Sequence, residues 1–544
     1  MAIPTHAAPD SIESDAQVFD AVVIGAGITG IYQLHRLREA GLDALILEAG
    51  SGVGGVWFWN RYPGARFDSE SYSYGYLFDE ALYDEWSWSE HFAGQPEIEE
   101  YLNHAVDHFG LRQHIRLGRS VSSAVFEDAD STWLITTEAG ERYRARYVIA
   151  ALGCLSAPIY PQVPGIEDYE GVSHHTGRWP LGEVDFAGKR VAVVGTGSSG
   201  VQVIPFIAAE AAKLTIFQRT PNWIAPLNNG PITAEEQAEL KGAGVAGMRE
   251  RVNTGAGGFI HAPIPKSALE VDEQERNAEF ERLYNGPGLI KMVGNFKDVA
   301  VDPAANALMS EHVAAQVRRR VKDPEIAAKL IPTSHGYGVK RPPQDNGYLE
   351  VFNQDNVELV SLEEEPIERF TEQGLRTPER DLEFDVIIFA TGFDFATGCY
   401  TRIDFEGLNG RTLKEHWSDG PRTHMGLLCD GFPNLFLVGG PHSTHGNMPR
   451  TTEILADTAT RIVVHARSHR KTRVETDKAH EDTWTESIYK NTVTLLSKAD
   501  NFFTGANVPG KARRFLSYPG ATLPVFAERL LAETGPDCEE LTFS

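Results

Sequence analysis

The glycine spacing GxGxxG occurs directly after an apolar run at two places in the chain. The two triplets are Gly25, Gly27, Gly30 and Gly195, Gly197, Gly200. The first glycine of such a triplet permits a tight turn, the second lets the backbone approach a pyrophosphate, and the third lets a helix pack on a strand. The N–H groups that begin the helix then face the phosphates. One triplet is weak evidence, whereas two in this setting predict two dinucleotide sites.

The strands that follow the two triplets end in different side chains. In the first site the residue is Glu48, and a carboxylate there accepts hydrogen bonds from both ribose hydroxyls, which suits FAD or NAD. In the second site the sequence is Gln218-Arg219-Thr220, with no acid, and a guanidinium binds a 2′-phosphate. The alternative for Arg219 is a surface arginine at a strand end. The motif upstream favours NADPH in the second site.

A second glycine pair follows Glu48 and is joined to a tryptophan. In the segment 54–57, GGVW, Gly55 lets the backbone lie against a ribityl–pyrophosphate chain, and Trp57 can cover its flank. Taken alone, Trp57 could also be a core aromatic residue. Together with Glu48, the segment predicts that the first site binds FAD.

The elements that must position these residues follow the order strand, glycine turn, helix, strand, and this order occurs twice. It is the unit of a doubly wound α/β sheet. The predicted strands 147–153 and 385–394 end in small residues. In proteins built from two such domains, the chain crosses from one domain to the other at strands of this kind. We therefore predict two interleaved dinucleotide-binding (Rossmann-like) domains with a helical insert. The predicted parts are an N-terminal arm 1–17, an FAD domain 18–155 and 391–544, an NADPH domain 156–225 and 332–390, and the insert 226–331.

The insert is predicted from a change of periodicity. Met309, Val313, Val317 and Val321 recur every four residues and form one apolar helical face. Asp323-Pro324 then supplies an N-cap and a first-turn proline for another helix. The glycine-rich segments 242–247 and 253–258 indicate mobile stretches within the insert.

Charge and cysteine content exclude several classes of partner. The formal net charge is −26, so nucleic acid and anionic lipid are not expected partners. The four cysteines have neither a CxxC pair nor metal-ligand spacing, so we expect no metal, no disulfide framework and a reducing cytoplasm. The arm 1–17 lacks the basic and apolar regions of a secretory signal. No apolar run reaches the roughly 18 residues of a membrane span.

Two longer signatures resemble those of a known family. The first, GGVWFWNRYPGARFD, spans 54–68, and the second, YEGVSHHTGRWP, spans 169–180 and contains Gly171, His175 and Trp179. Both resemble the class B flavin monooxygenases, and within them the Baeyer–Villiger monooxygenases that act on phenylacetone and cyclohexanone. Tyr169 stands where the family has Phe. Relatives that oxidise amines and sulfides usually carry Tyr in place of Trp179, which favours the Baeyer–Villiger group.

The resemblance, which spans about residues 18–520, implies an enzyme whose FAD is reduced by NADPH and reacts with O2. It implies that a ketone is converted to an ester or lactone through a C4a-peroxyflavin, with NADP⁺ retained as a shield. The substrate is then a small ketone, and no obligate protein partner is evident. An N- or S-oxidising flavin monooxygenase is the nearest alternative. Two alternatives belong to other classes. A flavin disulfide reductase would require a redox cysteine pair, which the sequence lacks. A flavin redox sensor would show a flavin that NADPH reduces without ketone-dependent turnover.

The resemblance also implies roles for single residues. Arg66, Phe67 and Asp68 are expected between flavin and nicotinamide, and Tyr74 near the flavin. The residues expected to contact NADPH are Arg66, Gly195, Thr196, Gly197, Ser198, Ser199, Gly200, Gln202, Arg219, Lys340 and Arg341. Those expected to contact FAD are Gly25, Gly27, Gly30, Glu48, Gly55, Trp57, Asp68 and Tyr74.

Catalysis is assigned to Arg341, oriented by Asp68, because the chemistry needs a fixed positive charge near the flavin. The alternative is that Arg341 grips the 2′-phosphate with Arg219 and Lys340. His175 and Trp179 are expected to couple domain movement to catalysis without reacting themselves.

Three places depart from the family pattern. Phe67 stands where relatives often have Cys, and Phe502, in the segment 502–511, stands where a Trp is common. The loop 439–450, GGPHSTHGNMPR, differs from the form found in several relatives. In the family this loop affects the substrate pocket, so the ketone is left open.

Overall fold

The computed structural model describes residues 16–544, so residues 1–15 of the predicted arm lie outside the described residues. Gln17, the last residue of that arm, is the first residue of a strand. The strands are β1 Gln17–Ile24, β2 Ala44–Leu47, β3 Ile115–Arg116, β4 Val121–Glu127, β5 Thr132–Thr137, β6 Arg142–Ala150, β7 Val172–His175, β8 Arg190–Val194, β9 Lys213–Gln218, β10 Ala225–Pro226, β11 Gln344–Asp345, β12 Val357–Ser361, β13 Arg369–Thr371, β14 Gly374–Arg376, β15 Asp381–Glu383, β16 Val386–Phe389, β17 Asp404–Glu406, β18 Leu435–Leu437, β19 Val474–Glu475 and β20 Thr542–Phe543.

The helices connect these strands and cover the sheets. They are α1 Ile28–Glu39, α2 Val56–Trp59, α3 Ser71–Tyr74, α4 Glu80–Glu85, α5 Gln95–His108, α6 Ser198–Glu210, α7 Ala234–Val252, α8 Glu273–Tyr284, α9 Ile290–Val293, α10 Pro303–Arg320, α11 Pro324–Leu330, α12 Tyr348–Val351, α13 Leu413–His416, α14 Met448–Ser468, α15 Lys478–Lys490, α16 Leu495–Lys498 and α17 Leu523–Thr534. None of the helices in the described chain is long and apolar enough to cross a membrane.

The first sheet contains eight strands and places the first glycine triplet at its centre. Its order is β17-β4-β5-β6-β1-β2-β3, and β18 also pairs with β6. Strand β1 runs parallel to both β2 and β6, and Ile24 is in register with Leu47 and with Ala150. The apolar run of β1 is buried, as a parallel strand covered on both faces requires. The carboxyl ends of these three strands therefore meet at Gly25, Glu48 and Ala151.

The second sheet contains five parallel strands in the order β12-β9-β8-β16-β7. Val194 is in register with Phe217 and Phe389, so the carboxyl ends of β8, β9 and β16 meet beside Gly195. Strands of the first sheet come from both sides of this second set in the sequence. The predicted fold class, two interleaved dinucleotide-binding folds, is confirmed. The residue numbers proposed as domain boundaries stay predictions.

The segment between β10 and β11 is helical. The apolar face predicted from Met309 lies on α10, where Met309, Val313 and Val317 are buried. Val321, the last residue of the predicted face, is also buried but follows the helix as its C-cap residue. Asp323 accepts hydrogen bonds from the N–H groups of Glu325 and Ile326, and so caps α11 as the sequence indicates. The glycine-rich segment 242–247 lies inside α7, which is kinked where Gly244 has a φ of 63°.

The C-terminal part of the chain returns to the first sheet. Helix α14 packs on α1 through two buried or half-buried polar contacts. The Tyr32 hydroxyl donates to Asp457 at 2.8 Å, and the Gln33 amide donates to Thr460 at 2.9 Å. Beyond α14 the chain passes through α15 and α16 to the segment 502–511 that the sequence singles out.

Candidate active site

The first glycine turn has the geometry that a pyrophosphate site needs. Gly25 follows β1 with a φ of 105°, a conformation that favours glycine, and a Cβ there would lie 2.6 Å from the Ala151 carbonyl oxygen. Gly27 is the N-cap of α1, and no side chain caps this helix or places an acid in its first turn. The first N–H groups and the positive end of the helix dipole are therefore left for an anion.

Glu48 lies beside this turn and is 5% exposed. Its two oxygens accept hydrogen bonds from the N–H groups of Ala26 at 2.6 Å and Gly50 at 2.7 Å. Burial raises the pKa of the Glu48 carboxyl, and these two donors oppose that rise. Each carboxylate oxygen keeps further acceptor capacity, so the carboxylate can still receive ribose hydroxyls. The predicted ribose contact remains a prediction.

Three aromatic side chains pack together next to the first turn. The Trp57 indole N–H donates to the Tyr74 hydroxyl at 2.9 Å, and the Phe67 ring lies 5.9 Å from Trp57 and 4.6 Å from Tyr74. Burial raises the pKa of Tyr74, so its hydroxyl stays neutral. Trp57 is thus a core aromatic residue as well as a candidate flavin contact. Phe67, where relatives often have Cys, completes an apolar wall.

The second glycine turn repeats the first. Gly195 has a φ of 110°, and a Cβ there would lie 2.4 Å from the Ala390 carbonyl oxygen. A Cβ at Gly197 would meet nothing within 4 Å, so open space lies over the start of α6. At the start of α6, Ser198 is exposed and Ser199 is half-buried. Thr196 is buried, and its hydroxyl donates to Gln218 Oε1 at 3.5 Å. Helix α6 also begins without a side-chain cap or an acid.

Two cations lie near the ribose end of the second turn. Arg219, one residue after β9, is exposed, and Lys340 is half-buried. Burial lowers the pKa of Lys340, and the neighbouring charge of Arg219 lowers it further. Two like charges that are near enough to affect one another favour the binding of an anion. The predicted 2′-phosphate contacts are therefore electrostatically reasonable and remain a prediction.

The segment 66–68 joins the two turns. Gln202 on α6 donates to the Arg66 carbonyl oxygen at 2.9 Å and accepts from the Tyr62 hydroxyl at 2.7 Å. The Arg66 guanidinium is bonded to Glu90 at 2.8 Å. The Gln202 side chain, expected at the phosphates, is thus engaged with the first signature. This contact joins the segment 66–68 to α6, the helix that follows the second glycine turn.

Arg341 forms an ion pair with Asp68 of this segment. Arg341 Nη2 donates to Asp68 Oδ1 at 2.8 Å, with about a quarter of each side chain exposed, 24% and 25%. The main chain is fixed because the Asn222 amide donates to the Arg341 carbonyl oxygen at 2.8 Å. Pro342 and Pro343 lead from there into β11, which pairs with β10. Burial raises the pKa of the Cys154 thiol, beyond β6, and the charge of the nearby Arg341 partly opposes that rise.

The second signature lies at the edge of the second sheet, on strand β7. His175 ends β7, and its Nδ1 accepts from the Gly177 N–H at 2.9 Å. Burial lowers the pKa of His175 to about 4, so the imidazole is neutral. Trp179 is buried, and its ring centroid lies 6.3 Å from that of Tyr62. The backbone N–H of Trp179 donates to the Trp59 carbonyl oxygen at 3.2 Å. The two signatures are therefore in direct contact. Gly171 immediately precedes β7.

The segment 502–511 packs against the part of the chain that leaves β16. The Phe502 ring lies 5.2 Å from Phe395, the Asn507 amide donates to the Phe393 carbonyl at 2.8 Å, and Lys511 pairs with Asp394. The side chain of Phe502 has no N–H to offer a cofactor, whereas a tryptophan side chain at this position would have one. The altered loop 439–450 follows β18 and contacts the same region, since the His445 ring lies 4.7 Å from Phe395.

The cysteines of the described chain do not resemble a redox pair. All four are free and buried. Burial raises the pKa of Cys154 and of Cys399 to about 12, so both remain protonated thiols. A thiol is a poor nucleophile in thiol–disulfide exchange. This disfavours the disulfide-reductase alternative.

Two side chains of the site have no motif to reveal them. Asn222 holds the Arg341 carbonyl from 119 positions away, and Gln95 donates to the Trp57 carbonyl from 38 positions away. Both are single polar residues outside any repeated pattern. Only the folded chain brings them to the site.

The residues present fit two bound dinucleotides. Both helices α1 and α6 start without a capping side chain, and a Cβ at Gly153 or Gly392, which follow β6 and β16, would meet nothing within 4 Å. Open space therefore lies at the carboxyl edge of each sheet, beside its glycine turn. This is the edge at which open α/β sheets bind their ligands.

Comparison with known proteins first defines the broad class. Residues 22–240 match the family described as pyridine nucleotide-disulphide oxidoreductase, which is consistent with two dinucleotide sites. A crystal structure of OTEMO in complex with FAD and NADP is similar over 97% of this chain and 99% of that chain, with a TM-score of 0.93 and 40% identity.

Curated relatives narrow the class. The chain is 41% identical to 2-oxo-Δ3-4,5,5-trimethylcyclopentenylacetyl-CoA monooxygenase of Pseudomonas putida, over 90% of this chain and 91% of the relative. It is 40% identical to the acetone monooxygenase (methyl acetate-forming) of Gordonia sp. strain TY-5, over 92% and 95%. It is also 39% identical to the phenazine N-monooxygenase PhzNO1 of Lysobacter antibioticus, over 94% of each. The chain belongs to the Baeyer–Villiger monooxygenases, FAD-containing and NADPH-dependent oxidoreductases.

Proposed function

We propose that this enzyme uses NADPH and O2 to convert a ketone to an ester or lactone, with Arg341 as its principal catalytic residue. The observation that carries the proposal is the 2.8 Å ion pair between Arg341 and Asp68, the residue next to Phe67 of the aromatic cluster with Trp57 and Tyr74. The Gordonia relative named for methyl acetate formation supports the ketone-to-ester reaction.

The position of Arg341 is supported by contacts on both sides. Its carbonyl oxygen is held by Asn222, beyond β9, and its guanidinium is held by Asp68 in the first signature. Asp68 follows Phe67 in the sequence, and the Phe67 ring packs on Trp57 and Tyr74 beside the first glycine turn. A residue fixed in this way needs little reorganisation when charge develops near it.

Bound FAD, reduced by NADPH, supplies the activation of dioxygen, and the protein side chains control the charge around the ketone. When the carbonyl carbon is attacked, negative charge develops on the carbonyl oxygen, and the Arg341 guanidinium stabilises it. Arginine keeps its proton in a partly dry site in which a lysine can lose it. Asp68 bonds Nη2, so it fixes the plane of the guanidinium and leaves other N–H groups to face the substrate.

Water exclusion is the second task of the protein. The ring cluster of Trp57, Phe67 and Tyr74 lines one side of the site, and the segment 502–511 packs beside the loop 393–395. Excluding water strengthens the electrostatic effect of Arg341 and limits the loss of activated oxygen as hydrogen peroxide.

The test is the variant Arg341→Ala, assayed for ester formation by gas chromatography at saturating NADPH. We expect at least a ~10²-fold loss of the ester-forming rate, the scale for removing one oxyanion donor. Flavin content and the KM for NADPH should stay within a few-fold of the wild type, because Arg341 is proposed to act on the substrate.

The matched control is Lys340→Ala, the adjacent cation. It should raise the KM for NADPH and leave the rate at saturating NADPH nearly unchanged. If Arg341→Ala behaves in this way too, then Arg341 is a phosphate contact and the proposed role is wrong.

A second candidate activity is N-oxidation, favoured by the similarity to a phenazine N-monooxygenase at 39% identity. Trp179 at the discriminating position of the second signature argues for the ketone. Parallel turnover of phenazines and of cyclic, linear, aryl and steroid ketones, with detection of N-oxide and ester, decides between them.

The remaining assignments are part of the same proposal. The FAD and NADPH contacts, the domain boundaries and the coupling role of His175 and Trp179 are supported by the positions described above. A cytoplasmic location, without an obligate protein or nucleic-acid partner, is supported by the strongly negative charge and the unpaired spacing of the cysteines.

A further inference from the structure

A cluster of two histidines and a glutamate lies outside the candidate active site. His104 and His108 are four residues apart on α5 and therefore project from the same face of the helix. Glu85 is the last residue of α4 and reaches toward both. The cysteine spacing predicts no metal site, and this cluster uses none of the cysteines.

The three donor atoms converge. Glu85 Oε2 lies 3.2 Å from His104 Nε2 and 2.9 Å from His108 Nδ1, and the three ligand atoms all lie within 4.8 Å of one another. Ligands bound tetrahedrally at metal–ligand distances of about 2.1 Å are separated by roughly 3.4 Å. Small side-chain rotations would therefore admit a metal ion between the three atoms.

We propose that Glu85, His104 and His108 form a Zn²⁺ site. Two imidazoles and one carboxylate suit Zn²⁺, whereas Mg²⁺ and Ca²⁺ prefer oxygen ligands alone. The side chains are 49%, 37% and 18% exposed, so a hydrated ion can enter and keep water as its remaining ligand.

A fourth residue orients one of the ligands. Asp79 Oδ1 lies 3.5 Å from His108 Nε2, the ring nitrogen that does not face Glu85, and also accepts from the Leu82 N–H at the start of α4. A carboxylate on the second nitrogen fixes the ring and strengthens a histidine ligand.

The site would tie α4 to α5 at a point where the helical insert docks. On α4, Glu80 accepts from the Val245 N–H at 3.3 Å and the Tyr83 hydroxyl donates to the Leu240 carbonyl at 3.0 Å, both on α7. A metal that binds only the folded chain stabilises it. Zn²⁺ should therefore raise the Tm of the holoenzyme.

The experiment uses the FAD-loaded enzyme after removal of metals by chelator and dialysis. Zn²⁺ binding is measured by isothermal titration calorimetry, and we expect one ion per chain. The variants His104→Ala, His108→Ala and Glu85→Gln should each lower the affinity at least about tenfold. Unchanged flavin absorbance and ketone-dependent NADPH oxidation would show that each variant is folded.

The matched control is the double variant His465→Ala/His469→Ala. This pair is also four residues apart, with ring centroids 4.2 Å apart, but the described residues give it no carboxylate within metal-bridging range. Zn²⁺ binding should survive in the control. Absence of a stoichiometric Zn²⁺ site in the wild type, or unchanged affinity in the Glu85, His104 and His108 variants, overturns the proposal.

Discussion

At the scale of single residues, the choice of reductant is proposed to rest on two cations. Arg219 is exposed and takes the place of the acid that would accept a ribose 2′-hydroxyl, and Lys340 is half-buried within range of its charge. Glu48 holds the corresponding position in the first site, where two backbone N–H groups fix its carboxylate. The two sites thus share a turn and differ in the sign of one side chain.

Removal of the Arg219 charge tests this proposal. Arg219→Ala should raise the KM for NADPH much more than that for NADH, because NADH has no 2′-phosphate. The expected loss is about 1.5–3 kcal/mol, the size of a charge-assisted hydrogen bond. Steady-state kinetics with both cofactors measure it, and equal changes for the two would show that Arg219 does not select the phosphate.

The lowered pKa of Lys340 predicts a pH effect. Because burial and Arg219 lower this pKa, Lys340 loses its charge at a lower pH than an ordinary lysine. The preference for NADPH over NADH should therefore fall as pH rises through that lowered pKa. In Lys340→Arg the preference should stay flat over the same range, since arginine remains charged. Identical pH profiles of the KM ratio would contradict the assignment.

Some residues and contacts of the candidate site could be predicted from the sequence, and others could not. Asp68 and Trp179 could be singled out because they lie in the two signatures, and the pairing of Arg341 with Asp68 that the sequence predicts is present in the structure. The contact between Arg341 and Asn222 could not be predicted, since a lone asparagine 119 positions away carries no signal. Gln202 is a mixed case, because its side chain bonds Tyr62 and Arg66 in the first signature.

At the scale of elements, the segment 502–511 is held by a few polar contacts. Lys511 pairs with Asp394, and Asn507 bonds the Phe393 carbonyl at 2.8 Å. The aromatic contact of Phe502 with Phe395 adds apolar burial. We propose that this segment helps keep water from the flavin edge.

Loosening the segment should waste reducing equivalents. Lys511→Ala should increase the fraction of NADPH oxidised to hydrogen peroxide instead of ester, because water reaches the activated oxygen more readily. A peroxidase-coupled assay beside ester quantification gives the ratio. The control is Lys490→Ala, an exposed lysine on α15 paired with Glu486. An unchanged ratio in Lys511→Ala would remove the segment from the shielding role.

Helix prediction succeeded where periodicity and caps agreed. The apolar spacing from Met309 and the Asp323-Pro324 start both correspond to observed helices. The glycine-rich segment 242–247 was expected to be a mobile stretch. In the structure it lies inside α7, which continues through it with one kink at Gly244. Gly244 has a φ of 63°, a conformation that favours glycine, and this backbone requirement explains the glycine at the kink.

At the scale of the whole molecule, two sheets meet through the first signature. Tyr62 contacts both Gln202 on α6 and Trp179 of the second signature, while Asp68 pairs with Arg341 from beyond the insert. The double glycine motif makes both large sheets predictable from sequence. The small antiparallel sheet β13-β14-β15 was not predicted, because its strands are only three residues long and mostly polar at their ends.

In the proposed reaction, this enzyme inserts one oxygen atom of O2 into a ketone substrate. The direct measurement is mass spectrometry of the product formed from NADPH, a ketone and ¹⁸O2. We predict an ester or lactone that carries one labelled oxygen atom and forms in proportion to the NADPH consumed. Consumption of NADPH with stoichiometric labelled hydrogen peroxide and no labelled ester, across the ketone panel, would contradict the claim.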